Sequence, residues 1–148
     1  MAAYSRMLLR IAMTRLPSPA DAEDAVQEVF LKLLTARPQF RDAEHEKAWL
    51  IRATLHRACD MARAAERRNL PLETAEVLSG GELPEPSPIL SAVQALPAKY
   101  SAVIHLYYYE GYSIQEISKL LRLPVPTVGT RLSRGRERLR QLLKEDVK

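Results

Sequence analysis

Arg131, Arg134, Arg136, Arg138 and Arg140 crowd one short stretch near the C-terminus, with Glu137 as the one acid among them. Thr127 and Thr130 precede them, and Ser133 lies among them. Guanidinium forks and hydroxyls bond phosphate oxygens and base edges alike, so the chemistry this pattern offers is nucleic-acid binding. A second set lies upstream. Arg52, His56, Asp60, Arg63 and Arg67 recur at spacings of four, four, three and four, which places them on one side of a helix, with Arg57 and Arg68 nearby. Such a stripe is either a solvated face or a surface that holds phosphates. A third set is acidic: Asp24, Gln27 and Glu28 share a helical arc with Leu31. An apolar anchor ringed by carboxylates is either a solvated face with a stray leucine or a docking patch for a basic protein.

Catalytic constellations are missing from the sequence. His45, His56 and His105 are scattered, and Cys59 is the sole cysteine, so neither a metal site nor an internal disulfide is expected. No phosphate-binding loop of the GxxxxGK[ST] type and no Gly-x-Ser-x-Gly elbow occurs. The sequence implies no cofactor and no enzymatic activity. The net charge is only +4 over 148 residues, so the placement of charge carries more information than its total. No apolar run approaches the roughly 20 residues that cross a bilayer. The opening MAAYSRMLLRIAMTRL lacks the long apolar region and cleavage site of a signal peptide, so a cytoplasmic protein without membrane insertion is expected.

The elements that position these residues read as helices throughout. Between Asn69 and Ala98 there is no Lys or Arg, while prolines, glutamates and Gly80-Gly81 accumulate. Residues 69–90 read as an acidic linker between two helical domains, 1–68 and 91–148, an all-α architecture. In the first domain a helix is expected over Ala22–Thr35, started by Pro19 and Asp21, with Val26, Val29, Phe30, Leu33 and Leu34 as its core face. The next helix, about Glu44–Arg68, is expected to bury Ala48, Ile51, Leu55, Ala58 and Ala62. Trp49 serves there as a core anchor or as a base-stacking ring. In the second domain Leu96-Pro97 opens a helix continuing to Tyr109 or Glu110, and Gly111 suits its C-terminal cap. Tyr107, Tyr108, Tyr109 and Tyr112 cluster at that junction, mostly as packing residues. Ser113 with Glu116 signals a capping box for a short helix packing through Ile114, Ile117, Leu120 and Leu121. Pro126 fixes the start of the last helix, whose inner stripe is Val128, Leu132, Gly135, Leu139 and Leu142. A short capped helix, a turn and an arginine-rich helix form the outline of a helix-turn-helix DNA reader.

In this order the segments resemble an extracytoplasmic-function sigma factor, the small class of bacterial RNA polymerase initiation subunits. DAEDAVQEVFLKLL resembles region 2.2 and FRDAEHEKAWLIRATLHRACDMARAAERR resembles regions 2.3 and 2.4. The stretch LPAKYSAVIHLYYYEGYSIQEISKLLRLPVPTVGTRLSRGRERLRQLL resembles region 4. The resemblance implies that the chain binds core RNA polymerase and directs promoter-specific initiation. It implies that Asp24, Gln27, Glu28 and Leu31 dock on the clamp helices of the largest subunit. It implies that the loop near Phe40–Glu46, with Trp49, Arg52, His56, Arg57, Asp60 and Arg63, opens and reads the minus-ten element, capturing a flipped base. Region 4 then reads the minus-thirty-five element with Thr127, Thr130, Arg131, Ser133, Arg134 and Arg138 and touches the polymerase flap. The family often has a cognate anti-sigma factor. Arg122 and Pro126 stand where the family's turn often has glycine, and Gly129 where it often has a DNA-contacting Lys or Arg. Two other readings stand beside this one: a stand-alone helix-turn-helix regulator, and a sigma-like interaction protein that has lost promoter reading.

Overall fold

The computed structural model describes residues 2–67 and 88–146. Two units are distinguished, Met1–Leu83 and Pro84–Lys148. Among the described residues there are seven α-helices, one π-helical turn and no strand, as the all-α reading expects.

The first unit contains α1 (Ala2–Ala12), α2 (Pro19–Ala36) and α3 (Ala43–Arg67). Helix α2 starts three residues before the expected Ala22 because Ser18 caps it, its Oγ accepting the Asp21 amide at 3.3 Å. Pro19 then fills a first-turn position whose N–H has no helical partner. The three helices pack on one another, and Leu8, Ile11, Leu16, Leu50 and Ile51 are fully buried between them. Each such side chain contributes roughly 1.5–3 kcal/mol of burial free energy.

Two expected core faces are corrected. Leu34 is not in the core: it is 59% exposed, close to the 60% of Leu31. The buried residues of α2 are Ala22, Ala25, Val26 and Val29. At about 100° per residue Leu34 lies roughly 120° from Ala22, nearer to Leu31 than to that stripe. In α3 the buried set is Ala48, Leu50, Ile51, Thr54, Ala58 and Ala65, whereas Leu55 and Ala62 are half-buried. The face is turned by about 50° toward Leu50 and Thr54. A helix that packs on two neighbours buries a wider and differently phased arc than its apolar residues alone suggest. Thr54, although polar, is fully buried, and its hydroxyl has no hydrogen-bond partner.

The second unit contains α4 (Pro88–Ala95), α5 (Ala98–Ile104), a π-helical turn (His105–Tyr109), α6 (Ile114–Leu121) and α7 (Val125–Asp146). Helix α4 begins inside the segment read as linker; residues 69–87 of that segment lie outside the described residues. The expected continuous helix to Tyr109 is instead α5 followed by the π turn, in which the Glu110 amide donates to His105 O at 3.1 Å. A buried pair fixes this turn, His105 Nε2 and Glu110 Oε2 lying 2.7 Å apart, and His105 stacks on Tyr109 at 5.1 Å. Tyr108 and Tyr109 are exposed rather than packed. Gly111, at φ 80°, ends the element in the left-handed region that glycine enters without strain.

Candidate nucleic-acid and polymerase interface

Helices α6 and α7 are set by local chemistry. The Glu116 amide donates to Ser113 Oγ at 3.1 Å, and the Ser113 amide donates to Glu116 Oε1 at 2.9 Å. This is the expected capping box. Helix α6 ends on Arg122, whose φ of 56° is left-handed, and the Leu123 amide closes the turn on Ser118 O at 3.0 Å. Arginine thus occupies a left-handed backbone conformation that glycine adopts with less strain. Helix α7 is then anchored by Val128 and Leu132, both buried. Gly135 lies against α5, where a Cβ would meet Ile104 Cγ1 at 3.0 Å.

This anchoring turns Thr130, Ser133, Arg134 and Arg138 to solvent, with Thr127 and Arg131 half-buried beside them. A groove of about 280 Å³ runs along the first turns of α7, lined by Lys99, Tyr100, Pro126, Thr127, Thr130, Arg131 and Arg134. Tyr100 is its buried floor, with Lys99 Nζ 5.1 Å from the ring centroid and Arg138 Cζ at 5.0 Å. Four cations therefore gather around this groove, and no carboxylate lines it. Such a groove attracts anions and bonds phosphate through both charge and hydroxyl donors. The remaining arginines are engaged elsewhere. Arg136 donates to the Tyr108 hydroxyl at 2.9 Å, a hydrogen bond that holds its guanidinium above its ordinary pKa, and Arg140 pairs with Glu137 at 3.1 Å. Lys99 and Tyr100 were not found from the sequence, since their place beside α7 is a tertiary contact. A faint signal existed: Lys99 sits in the first turn of a helix, where a cation opposes the helix dipole.

In the first unit Phe40 lies in the loop before α3. Its ring is 6.0 Å from that of Trp49 and 5.4 Å from that of His45, both edge-on. Trp49 is half-buried, so it is neither a fully enclosed anchor nor a free ring. Arg52, His56, Asp60 and Arg63 fall within about 80° on α3, with Arg63 bonded to Asp60 at 3.2 Å. Arg57 stands off this stripe: its guanidinium is bonded to Glu28 of α2. Two residues assigned to different partners are thus one ion pair, half-exposed and worth no more than about 1 kcal/mol. On α2, Asp24, Gln27 and Glu28 are exposed beside Leu31, and Leu34 extends the apolar part of that face. Cys59 is half-buried; burial pushes its thiol pKa up, against the pull of Arg15 and Arg63. No helix of the described residues is long and apolar enough to cross a membrane.

Comparison with known proteins matches both units to one family. Residues 1–68 match sigma-70 region 2 and residues 87–139 match sigma-70, region 4. The chain is 32% identical to the RNA polymerase sigma factor SigV of Bacillus subtilis, with 93% of this chain and 86% of that one covered. It is 29% identical to the ECF RNA polymerase sigma factor SigW of the same organism, covering 96% and 86%. The fold matches the sigma factor RpoE in its co-crystal structure with the anti-sigma factor NepR from Bartonella quintana, at a TM-score of 0.74 and 23% identity over 97% of this chain and 93% of that one. A capped α6, an arginine-faced α7 and an acidic α2 face, in a chain matched along both units, make this protein a member of the sigma-70 family of RNA polymerase sigma factors, in its extracytoplasmic-function class.

Proposed function

We propose that this alternative sigma factor binds core RNA polymerase and directs initiation by dividing the promoter between its units. The α2 face, Asp24, Gln27, Glu28 and Leu31 joined by Leu34, meets the polymerase clamp. The loop at Phe40 and the α3 residues Trp49, Arg52, His56, Arg57, Asp60 and Arg63 open and read the minus-ten element. Residues Thr127, Thr130, Arg131, Ser133, Arg134 and Arg138 of α7 read the minus-thirty-five element. In this division residues 1–68 and the second unit from α4 onward act as the two promoter-binding domains, and the acidic segment between them connects them. The protein works in the cytoplasm beside the polymerase and carries out no catalysis of its own.

The observation that carries this reading is the sorting of cations on α7. Arg131, Arg134 and Arg138 surround one groove with Lys99, while Arg136 and Arg140 are bonded on the other side of the helix. An evenly solvated arginine helix has no reason to sort its charges in this way. Region 4 supplies register: phosphate contacts fix α7 over the major groove, and base contacts select the sequence. Region 2 supplies opening. Stacking one base on an aromatic ring is worth roughly 1–3 kcal/mol, comparable with the roughly 1.4 kcal/mol of one stacked base-pair step. Capture of a single base thus offsets about one step of melting, and the rest must come from the polymerase to which the sigma factor is docked.

The test is Arg134→Ala in reconstituted holoenzyme. A lost bidentate base contact costs roughly 1–3 kcal/mol, about 5- to 150-fold in use of the upstream element. Transcription from paired templates with intact and scrambled upstream elements should lose that much discrimination, with core affinity unchanged. Discrimination equal to wild type would reject this face of α7 as the reader.

A further inference from the structure

The loop that carries Phe40 is tied to the start of α3 by two hydrogen bonds that cross. The His45 amide donates to Asp42 Oδ1 at 2.8 Å, which caps the helix. The Arg41 amide donates to His45 Nδ1 at 3.2 Å. In an ordinary capping box the side chain three residues into the helix takes the amide of the cap residue itself. Here it reaches one residue further back, to the amide that directly follows Phe40. That bond restrains the peptide plane between Phe40 and Arg41, and with it the stretch of backbone from which the Phe40 ring projects. The same imidazole lies edge-on to Phe40 at 5.4 Å and 84°, and Trp49 makes a second edge-on contact with that ring at 6.0 Å. A neutral imidazole that accepts at Nδ1 carries its proton on Nε2, so one tautomer is selected by the backbone.

We propose that His45 is the positioning residue of the base-capture loop: its Nδ1, by accepting the Arg41 amide, holds the Phe40 ring ready to stack on the flipped base before DNA arrives. The inference rests on the reading of Phe40 as a base-contacting residue. It adds a residue that the division of the promoter does not require and that touches no base itself. Ordering the ring in advance removes an entropic cost otherwise incurred at the moment of capture.

The acceptor and the ring can be separated by substitution. In asparagine the side-chain oxygen, like Nδ1 of histidine, is attached to Cγ; His45→Asn therefore keeps an acceptor at that place and removes the ring. His45→Phe keeps a ring edge toward Phe40 and removes the acceptor. Each full-length variant, together with Phe40→Ala, is assembled with core polymerase. Base capture is read by the fluorescence of 2-aminopurine substituted at the non-template minus-ten position of a promoter duplex. Core affinity is measured alongside, and a variant that merely misfolds would lower it. A net hydrogen bond corresponds to about 2- to 12-fold in an equilibrium. His45→Phe should lose base capture by about that factor, His45→Asn should retain it, and core affinity should be the same in both. Wild-type capture by His45→Phe, or equal loss by His45→Asn, would overturn the proposal while leaving the site reading intact. Undiminished capture by Phe40→Ala would overturn the site reading, and this proposal with it.

Discussion

Gly129 offers the sharpest quantitative probe of the α7 face. It lies inside a 22-residue helix, and a Cβ built there meets nothing within 4 Å. Two consequences separate cleanly. First, the helix gains from any side chain: glycine is about 1 kcal/mol poorer than alanine and roughly 0.7 kcal/mol poorer than arginine in a helix interior. For a unit of this size that gain corresponds to a rise in melting temperature of about 3 to 6 °C. Second, Gly129→Arg adds a cation one turn before Ser133, on the flank of α7 that carries Arg136 and Arg140 and about 160° around the helix from Arg131. One added phosphate contact steepens the salt dependence of binding by about 0.9 in log–log slope, so the affinity advantage over wild type should shrink about 3.5-fold between 50 and 200 mM salt. Gly129→Ala is the control, stabilised to a similar degree with an unchanged slope. Calorimetry of the free chain gives the first quantity, and fluorescence anisotropy of holoenzyme on a labelled promoter across a salt series gives the second. Equal slopes for the two variants would show that this side of α7 does not face DNA.

Other substitutions test other parts of the site. Lys99→Ala should reduce the salt slope by about 0.9 on every promoter sequence alike, because a phosphate contact carries no sequence information; a loss confined to one sequence would contradict this. Arg122→Gly should stabilise the turn by up to about 1.5 kcal/mol, the left-handed penalty of roughly 1–2 kcal/mol less the roughly 0.5–1 kcal/mol that glycine loses in backbone entropy. A lower melting temperature would mean that the arginine side chain makes contacts worth more than the strain. Leu31→Asp and Leu34→Asp should leave the melting temperature unchanged, since both side chains are already mostly exposed. Each should weaken core polymerase binding by roughly 1–2 kcal/mol of lost burial. Unaltered core affinity would return that face of α2 to plain solvent.

Legibility of the chain followed the range of the interactions. The Ser113–Glu116 box, the Pro126 start of α7 and the Gly111 cap were readable because each is decided within one helical turn. The start of α4 is hidden in a segment whose accumulated prolines read as linker, although Pro88, like Pro126, stands in the first turn of a helix, where its missing N–H has no helical partner. The π turn was invisible because it depends on a buried His105–Glu110 pair, and neither residue type signals burial. Leu34 is exposed where a core position is expected, and Leu50 is buried outside the expected stripe, because helical phase is set by which neighbours a helix packs on, not by its own apolar count. In the candidate site the arginines and hydroxyls of α7 are legible, as is the placing of Arg131 and Arg138 on one flank and Arg136 and Arg140 on the other, but the groove on the first flank and the bonds on the second are not. Lys99 and Tyr100 help build that groove and Tyr108 makes one of those bonds, and all three come from sequence about 30 residues away.

The most direct measurement of the central claim combines the purified chain with sigma-free bacterial core polymerase. Co-elution is followed by transcription from a promoter library randomised at both elements. The account predicts a stable complex and transcripts that require this chain, with sequence selection at both the minus-ten and minus-thirty-five positions. Failure to co-elute, together with tight binding of duplex DNA by the chain alone, would contradict it.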